Sequence, residues 1–327
     1  MYIILLFIVG GVFALGLGAD MIVRSSINLA NIYKISGYFI GFTVVALGTS
    51  LPEFAATVQA ISVTDSIDIA LGNIIGSNIA NILLILGVVS IINPIIFSEK
   101  KGQKNQTLMV LAVTLIATAI FYYLTNNQNS NPILFGIILV VIFFVFLVLQ
   151  YKNELADEAN ISSTSNFPQI ISYLLLVIGL VFLYFGSKYF IIGSQQLAIS
   201  FNISETIIGL TLVAFGTSLP ELATGISAAL RKQSSLAVGT ILGSNVYNIV
   251  GIFALILFMK PEQSPVGSEI LMTNIIIMTI ITFLFVYKVR FGFKFLNIAA
   301  FQLSKNSGIL FLILYAIYTL YNYLKLN

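Results

Sequence analysis

The 327-residue sequence contains no cysteine, no histidine and no tryptophan, and only 8% of its residues are charged. Without cysteine and histidine, the chain cannot form disulfide bonds, thiolate or imidazole metal sites, Ser-His nucleophile systems or histidine proton relays. A soluble domain carries roughly 25% charged residues, so the low charge content excludes a soluble enzyme. The few basic residues are scattered among apolar runs, which argues against nucleic-acid binding. Because cysteine and histidine are absent, any metal chemistry must use oxygen ligands.

Long apolar runs are abundant, and 58% of the residues are hydrophobic. A membrane-spanning helix needs roughly 20 apolar residues, and the runs and their polar breaks predict an all-α polytopic membrane protein with ten transmembrane helices. The first run lacks a basic start and a small-residue cleavage site, so we expect a retained span rather than a signal peptide. The predicted helices cover about residues 2 to 23, 36 to 62, 69 to 93, 106 to 124, 132 to 151, 169 to 192, 204 to 230, 235 to 259, 268 to 288 and 307 to 324.

The positions of lysine and arginine predict the orientation, because cytoplasmic loops carry the excess of these residues. In the ten-helix arrangement, one side of the membrane receives 12 of them and the other side receives two, Lys260 and Lys325. Lys188 lies in or near the sixth helix and is assigned to neither side. We therefore expect a multi-pass protein of the cell (plasma) membrane with both termini outside. The polar connector 152–168 is expected in the cytoplasm.

The chain contains an internal repeat. Residues 41–57, GFTVVALGTSLPEFAAT, align without gaps with residues 209–225, GLTLVAFGTSLPELATG, and eleven of the 17 positions are identical. A second match joins residues 72–83 with residues 239–250. Each half then holds five spans, an odd number, so the second half must enter the membrane from the opposite side. The predicted organisation is two inverted five-helix repeats, 1–151 and 169–327, joined by the linker 152–168.

Inverted repeats of this kind recur in secondary transporters, where the ion site lies at the repeat interface near mid-membrane. Two similar halves can exchange inward-open and outward-open roles, so the symmetry favours alternating access. A cation channel is the alternative from a different class, although channels generally lack inverted halves. No nucleophile with a base or metal-ligand set is visible, so we do not expect an enzyme.

Both copies of the GTSLPE motif place a glutamate, Glu53 or Glu221, near the middle of an apolar helix. An ionised carboxylate is expensive there, and no basic residue is placed to pair with it, so either protons or cations must neutralise it. Hydroxyls three and four residues before each glutamate share its helical face. They belong to Thr49 and Ser50 in the first half and to Thr217 and Ser218 in the second.

A proline in each motif, Pro52 or Pro220, cannot donate a backbone hydrogen bond and clashes with the carbonyl four residues back. Freed carbonyls, here those of Gly48 and Gly216, are tolerated at membrane depth where they line a cavity. Two carboxylates, four hydroxyls and these carbonyls would form a hard oxygen cage suited to Ca²⁺ or to Na⁺, which is similar in size.

The second repeated segment contains Ser77 and Asn81 on one helical face, matched by Ser244 and Asn248. These polar groups serve either as cation ligands or as interhelical hydrogen-bonding groups. For Asn78 and Asn245 the sequence favours neither of these two roles over the other. On another face, glycines 72 and 76 and alanine 80 form a small-residue stripe that favours close helix packing.

The duplicated ALGTSLPE (46–53) and AFGTSLPE (214–221), each followed by a GSN helix, resemble the two alpha-repeats of the Ca²⁺/cation antiporter superfamily, in particular the prokaryotic, archaeal-type sodium/calcium exchangers. The resemblance implies Na⁺/Ca²⁺ antiport, with helices 1 and 6 sliding across the core as gates. It implies no cofactor besides the transported ions, and no obligate protein partner is evident. The implied ligands are the carbonyls of Ala46 and Ala214 and the side chains of Thr49, Ser50, Glu53, Ser77, Asn81, Thr217, Ser218, Glu221, Ser244 and Asn248.

One position departs from the family pattern, because many sodium/calcium exchangers carry aspartate where this chain has Asn248. The formal charge of the cage is then −2, from Glu53 and Glu221 alone. One Ca²⁺ balances this charge, whereas more than two Na⁺ leave a net positive charge, so we expect electrogenic exchange. The alternative within the superfamily is a proton-coupled Ca²⁺/cation antiporter, and coupling to H⁺ or K⁺ is left open by the sequence.

Overall fold

Helices make up nearly all of the part of the chain that the computed structural model describes, which is residues 2–63, 66–97, 101–127, 130–156, 168–201, 214–260, 269–292 and 302–326. They are α1 (Tyr2–Tyr33), α2 (Gly37–Val63), α3 (Ile67–Ile92), α4 (Lys101–Asn126), α5 (Pro132–Ala156), α6 (Gln169–Ser200), α7 (Ala214–Thr217 and Leu219–Leu230), α8 (Ser234–Met259), α9 (Glu269–Phe291) and α10 (Lys305–Leu326).

Nine helices in the described ranges are long and apolar enough to cross a membrane. This confirms the predicted all-α polytopic membrane fold. The remaining predicted helix, 204 to 230, begins among residues 202–213, which lie outside the described residues, and α7 is its described part.

Two helices are longer than predicted. α1 and α6 each contain 32 residues and end at Tyr33 and Ser200 rather than at residues 23 and 192. The predicted ends were wrong because hydropathy marks the lipid-exposed part of a helix, whereas polar residues continue these helices by packing between them. Asn28 Nδ2, for example, donates to Ser172 Oγ at 2.7 Å. α5 also extends beyond its predicted end, to Ala156, so residues 152–156 of the predicted linker are helical.

α1 and α6 lie against each other in opposite directions. A Cβ atom built on Gly18 would lie 2.7 Å from the carbonyl oxygen of Gly179, and one built on Gly11 would lie 2.8 Å from that of Gly186. Only residues without a side chain allow two helix backbones to approach this closely. Residue numbers rise along one helix as they fall along the other, which makes the pair antiparallel.

The centre of the protein is formed by α3 and α8. In their apolar stretches 78% and 83% of the residues are buried, compared with 17% to 44% in the other described spans. α8 packs against the first half of α2 through Gly243, where an added Cβ would lie 2.5 Å from the carbonyl oxygen of Phe42 and 2.6 Å from Cβ of Ala46. α2, α3, α7 and α8 carry the two repeated motifs, so the two most buried spans, α3 and α8, are among the helices that carry the predicted ion ligands.

Two connections at the periphery were not predicted. Asp20 of α1 pairs with Arg24 in the same helix at 2.8 Å, and it also pairs with Arg231 just after the end of α7. A short antiparallel pair of strands, β1 (Ile95–Ile96) and β2 (Gln302–Leu303), joins segments that the sequence indicated as loops. Both connections bring together residues that are distant in sequence and leave no local pattern.

Candidate cation site

Both GTSLPE segments interrupt their helices at the serine. The backbone at Ser50 has φ −81° and ψ 3°, and that at Ser218 has φ −86° and ψ 4°. The proline two residues later has no N–H with which to continue the helical hydrogen bonds. The threonine before each break and the glutamate after it therefore lie on separate helical pieces, with the serine at the break between them.

The carbonyls released by the prolines do not both remain free. The Gly216 carbonyl accepts a hydrogen bond from Ser187 Oγ of α6 at 2.7 Å. This carbonyl was expected to line the cation cage, and the α6 hydroxyl occupies one of the two acceptor positions of its oxygen. A role for the Gly216 carbonyl in the cage stays a prediction. Nothing in the spacing of the sequence connects Ser187 with the proline motif, and Ala19 occupies the corresponding position of the first half.

The carbonyls of Ala46 and Ala214 were implied as ligands by the family resemblance. Ala46 is fully buried, and its carbonyl accepts from the Ser50 N–H at 3.0 Å and from Thr49 Oγ1 at 3.3 Å. Ala214 is the first residue of the described part of α7.

Glu53 is fully buried, and hydroxyls from both halves of the chain bind it. Ser77 Oγ of α3 donates to Glu53 Oε1 at 3.1 Å, and Ser218 Oγ of α7 donates to the same oxygen at 3.4 Å. The two serine oxygens lie 2.9 Å apart. The carboxylate of the first half is thus held by its own GSN helix and by the GTSLPE break of the second half.

Glu221 repeats this arrangement from the opposite side. Ser244 Oγ of α8 donates to Glu221 Oε1 at 3.1 Å, and Ser50 Oγ of α2 donates to it at 3.5 Å. Thr49 Oγ1 lies 3.3 Å from Ser244 Oγ. Among the described residues, neither Glu53 nor Glu221 pairs with a lysine or arginine.

One contact breaks the symmetry of the site. Thr217 Oγ1 donates to Asn73 Oδ1 at 3.1 Å, and Asn73 Nδ2 donates to the backbone carbonyl of Glu53 at 3.3 Å. Sequence reasoning did not assign Asn73 a role. The available signal was its mismatch with Thr240 in the second repeat, whose hydroxyl donates only along its own helix, to the Leu236 carbonyl at 3.0 Å.

Four asparagines connect α3 with α8 beside the glutamates. Asn81 Nδ2 donates to Asn245 Oδ1 at 2.9 Å, and Asn248 Nδ2 donates to Asn78 Oδ1 at 3.1 Å. π-helical turns begin at Asn81 and at Tyr247, and such turns are common at functional sites. The amide nitrogens of Asn81 and Asn248 therefore form interhelical hydrogen bonds, which is one of the two roles predicted for these residues.

Four buried oxygens of the cluster have no hydrogen-bond partner among the described residues, and they form two repeat-related pairs. They are Oε2 of Glu53 and of Glu221 and Oδ1 of Asn81 and of Asn248. A buried acceptor without a partner costs free energy. Carboxylate, amide and hydroxyl oxygens are the ligands that hard cations prefer. The donor set therefore fits Ca²⁺ or Na⁺ as substrate.

The structure brings all ten side chains of the predicted ligand set into one buried region, where each hydrogen-bonds to a side chain from another part of the chain. A buried, doubly acidic oxygen cluster at the centre of a polytopic helical protein defines a membrane cation transporter. The sodium/calcium exchanger protein family matches residues 3–152 and 171–324, and the chain belongs to this family.

Similar proteins cover nearly the whole chain. The membrane protein MJ0091 of Methanocaldococcus jannaschii is 36% identical over 94% of this chain and 95% of its own length. The sodium/calcium exchanger MaX1 of Methanosarcina acetivorans is 29% identical over 73% of this chain and 78% of its own. A solved structure of the sodium-calcium exchanger NCX_Mj, soaked with zero Na⁺ and Ca²⁺, matches with a TM-score of 0.80 at 31% identity and covers 97% of this chain and 98% of that one.

Proposed function

We propose that the protein is a secondary active antiporter that exchanges Na⁺ for Ca²⁺ across the membrane by alternating access. The observation that carries this proposal is a set of four buried oxygens, on Glu53, Glu221, Asn81 and Asn248, that have no hydrogen-bond partner in the described part of the chain. Membership of the sodium/calcium exchanger family supports it, as does the likeness to MaX1 and NCX_Mj, both named as exchangers of these ions.

The proposed ligand set is the one that the sequence and the family resemblance indicated. The four unpartnered oxygens supply its centre, and the hydroxyls bound to the glutamates can turn toward a cation, because a hydroxyl rotates freely about its C–O bond. The residues are Ala46, Thr49, Ser50, Glu53, Ser77, Asn81, Ala214, Thr217, Ser218, Glu221, Ser244 and Asn248.

Inverted repeats over 1–151 and 169–327 provide the proposed basis of alternating access. The antiparallel packing of α1 on α6, the corresponding helices of the two halves, supports this organisation. So does the exchange of hydroxyl donors between the halves at the two glutamates. We place the termini outside and the linker in the cytoplasm of a plasma-membrane protein, on the distribution of lysine and arginine.

Uptake of Ca²⁺ by proteoliposomes tests this function. Vesicles loaded with Na⁺ and diluted into Na⁺-free buffer are expected to accumulate ⁴⁵Ca²⁺, whereas matched vesicles that carry only K⁺ or only a pH gradient are not. Uptake driven by the pH gradient alone would instead assign the protein to the proton-coupled branch. Uptake that needs no counter-ion would contradict antiport and favour a channel.

The same vesicles are expected to show that exchange is electrogenic. Glu53 and Glu221 give the cage a charge of −2, and entry of one Ca²⁺ against more than two Na⁺ moves positive charge out of the vesicle. A potential that is positive inside, set with valinomycin and a K⁺ gradient, should therefore accelerate Ca²⁺ uptake, and one that is negative inside should slow it. Initial rates that do not respond to the imposed potential would contradict electrogenicity without contradicting exchange.

Asn248→Asp is expected to make Ca²⁺ affinity depend on pH while changing stability little. Asn248 Nδ2 donates to Asn78 Oδ1 at 3.1 Å and to Ser77 Oγ at 3.4 Å. A protonated carboxyl group can keep one of these donors, whereas an ionised one adds a third negative charge. Ca²⁺ binding by the variant should therefore tighten with rising pH, by about tenfold for each 1.4 kcal/mol of added attraction. Binding of ⁴⁵Ca²⁺ that follows the pH profile of the unmodified protein would contradict this expectation.

A further inference from the structure

The orientation of the asparagine side chains decides which of their atoms a cation meets. An amide presents an acceptor oxygen on one side and a donor NH₂ on the other, and it cannot rotate freely as a hydroxyl does. We infer that Asn78 and Asn245 are positioning residues, which fix the amides of Asn248 and Asn81 so that both present Oδ1 to the transported cations. The inference rests on the proposed function and deepens it.

Two backbone carbonyls orient the amides of Asn78 and Asn245. Asn78 Nδ2 lies 3.4 Å from the carbonyl oxygen of Asn245, and Asn245 Nδ2 lies 3.4 Å from the carbonyl oxygen of Asn78. A backbone carbonyl can only accept a hydrogen bond, so the atom facing it must be the amide nitrogen. These two contacts therefore determine which way the amides of Asn78 and Asn245 are turned.

These two amides in turn orient the side-chain amides of the ligands Asn81 and Asn248. Once Nδ2 of Asn245 faces a carbonyl, its Oδ1 faces Asn81 and must receive a donor, which Asn81 Nδ2 supplies at 2.9 Å. Asn78 Oδ1 receives Asn248 Nδ2 at 3.1 Å in the same way. The nitrogen of each ligand amide is then engaged in a hydrogen bond, and the oxygen is the atom that remains to bind the cations.

The Oδ1 atoms of the two ligand asparagines are consistent with this series of contacts. Oδ1 of Asn81 and Oδ1 of Asn248 are buried and have no hydrogen-bond partner among the described residues, whereas the amide nitrogens of both are bonded. The reverse orientation would present N–H donors to a cation and place two oxygens against each other at the positioning residue. All four asparagines are buried, so water cannot readily supply an alternative partner.

Asn245→Leu and Asn78→Leu test the inference, with equilibrium binding of ⁴⁵Ca²⁺ to the purified, detergent-solubilised protein as the readout. Leucine has a similar shape but neither donates nor accepts, so the ligand amide loses its orientation. Each variant is expected to bind Ca²⁺ at least about tenfold more weakly. Thr240→Val, which removes a buried hydroxyl from the same helix as Asn245, is the matched control. This variant should bind Ca²⁺ as the unmodified protein does.

A double-mutant cycle separates positioning from packing. Asn81→Asp replaces the amide by a carboxylate, both of whose oxygens accept, so its orientation no longer matters. Adding Asn245→Leu to Asn81→Asp should then change Ca²⁺ binding by less than about threefold. An equal loss in both backgrounds would mean that Asn245 acts through packing and would overturn the inference, as would single leucine variants that bind normally.

Two further outcomes have defined meanings. If a leucine variant does not fold, Asn245→Ser, which is smaller and too short to reach its partners, is expected to show the same weakened binding, and normal binding would overturn the inference. If the unmodified protein binds Ca²⁺ but shows no Na⁺-dependent uptake, the exchange function fails while the binding cycle still decides the role of Asn245. No Ca²⁺ binding by the unmodified protein would overturn the ligand set and the inference together.

Discussion

Glu53→Gln and Glu221→Gln are each expected to reduce Na⁺-dependent Ca²⁺ uptake by at least about 100-fold, equivalent to roughly 2.7 kcal/mol. Each substitution keeps the shape of the side chain and removes one of the two negative charges in the proposed cage. The remaining −1 charge cannot balance a divalent cation in a buried site, where uncompensated charge is costly. Because each glutamate receives serine donors from both halves, we expect the two variants to be equally impaired.

Loss of transport must be separated from loss of fold. Ca²⁺ that binds the folded state raises the melting temperature of the unmodified protein, and this Ca²⁺-dependent rise should disappear in both glutamine variants while their melting without Ca²⁺ is unchanged or higher. Thr282→Val is a suitable control, because Thr282 is buried in α9 and donates along its own helix to the Met278 carbonyl at 2.8 Å. Transport retained by either glutamine variant would refute the assignment of that glutamate.

Gly243→Ala is expected to destabilise the protein by about 1–3 kcal/mol, the usual range for overpacking a well-packed core. A Cβ atom at this position would lie 2.5 Å from the Phe42 carbonyl oxygen and 2.6 Å from Ala46 Cβ, so the two helix backbones must separate. Gly239→Ala should behave similarly, because its Cβ would meet the Tyr38 carbonyl oxygen on the same helix face. α2 and α8 carry ligands on either side of the site, so Ca²⁺ uptake should fall by at least about tenfold.

The matched control lies in the same helix. Gly251 is exposed, and no described atom lies within 4 Å of the Cβ that alanine would add there. Gly251→Ala should therefore leave both the melting temperature and Ca²⁺ uptake unchanged. If Gly243→Ala melts as Gly251→Ala does, the close approach of α2 and α8 does not contribute to stability.

In the first copy of the small-residue stripe, no described atom lies within 4 Å of a Cβ added at Gly72 or Gly76. Gly239 and Gly243 meet residues 38 and 42 of α2, and the repeat-related counterparts of these two are residues 206 and 210, which lie outside the described residues. The predicted packing role of that stripe stays a prediction, whereas the second copy packs closely against α2.

Much about this protein was determined by its sequence alone. The lack of charge and the length of the apolar runs are sufficient for a polytopic helical fold, because every membrane span must be apolar and satisfy its own backbone hydrogen bonds. The repeated GTSLPE motif indicated Glu53 and Glu221, since an acid in an apolar helix is too expensive to occur twice without a role. Spacing within each motif then identified the hydroxyls, because neighbours on one helical face follow from the helix period.

Only the tertiary structure decided the contacts between these segments. Ser187 satisfies the Gly216 carbonyl, Asn73 bonds Thr217, and Arg231 reaches Asp20, in each case across more than 28 residues. Such pairs depend on how helices pack and leave no periodic pattern in the chain. The asparagines show the difference most clearly. Their spacing placed them near the glutamates, but which atom each one presents is determined by two backbone carbonyls on the opposite helix, and those positions exist only once α3 and α8 are packed together.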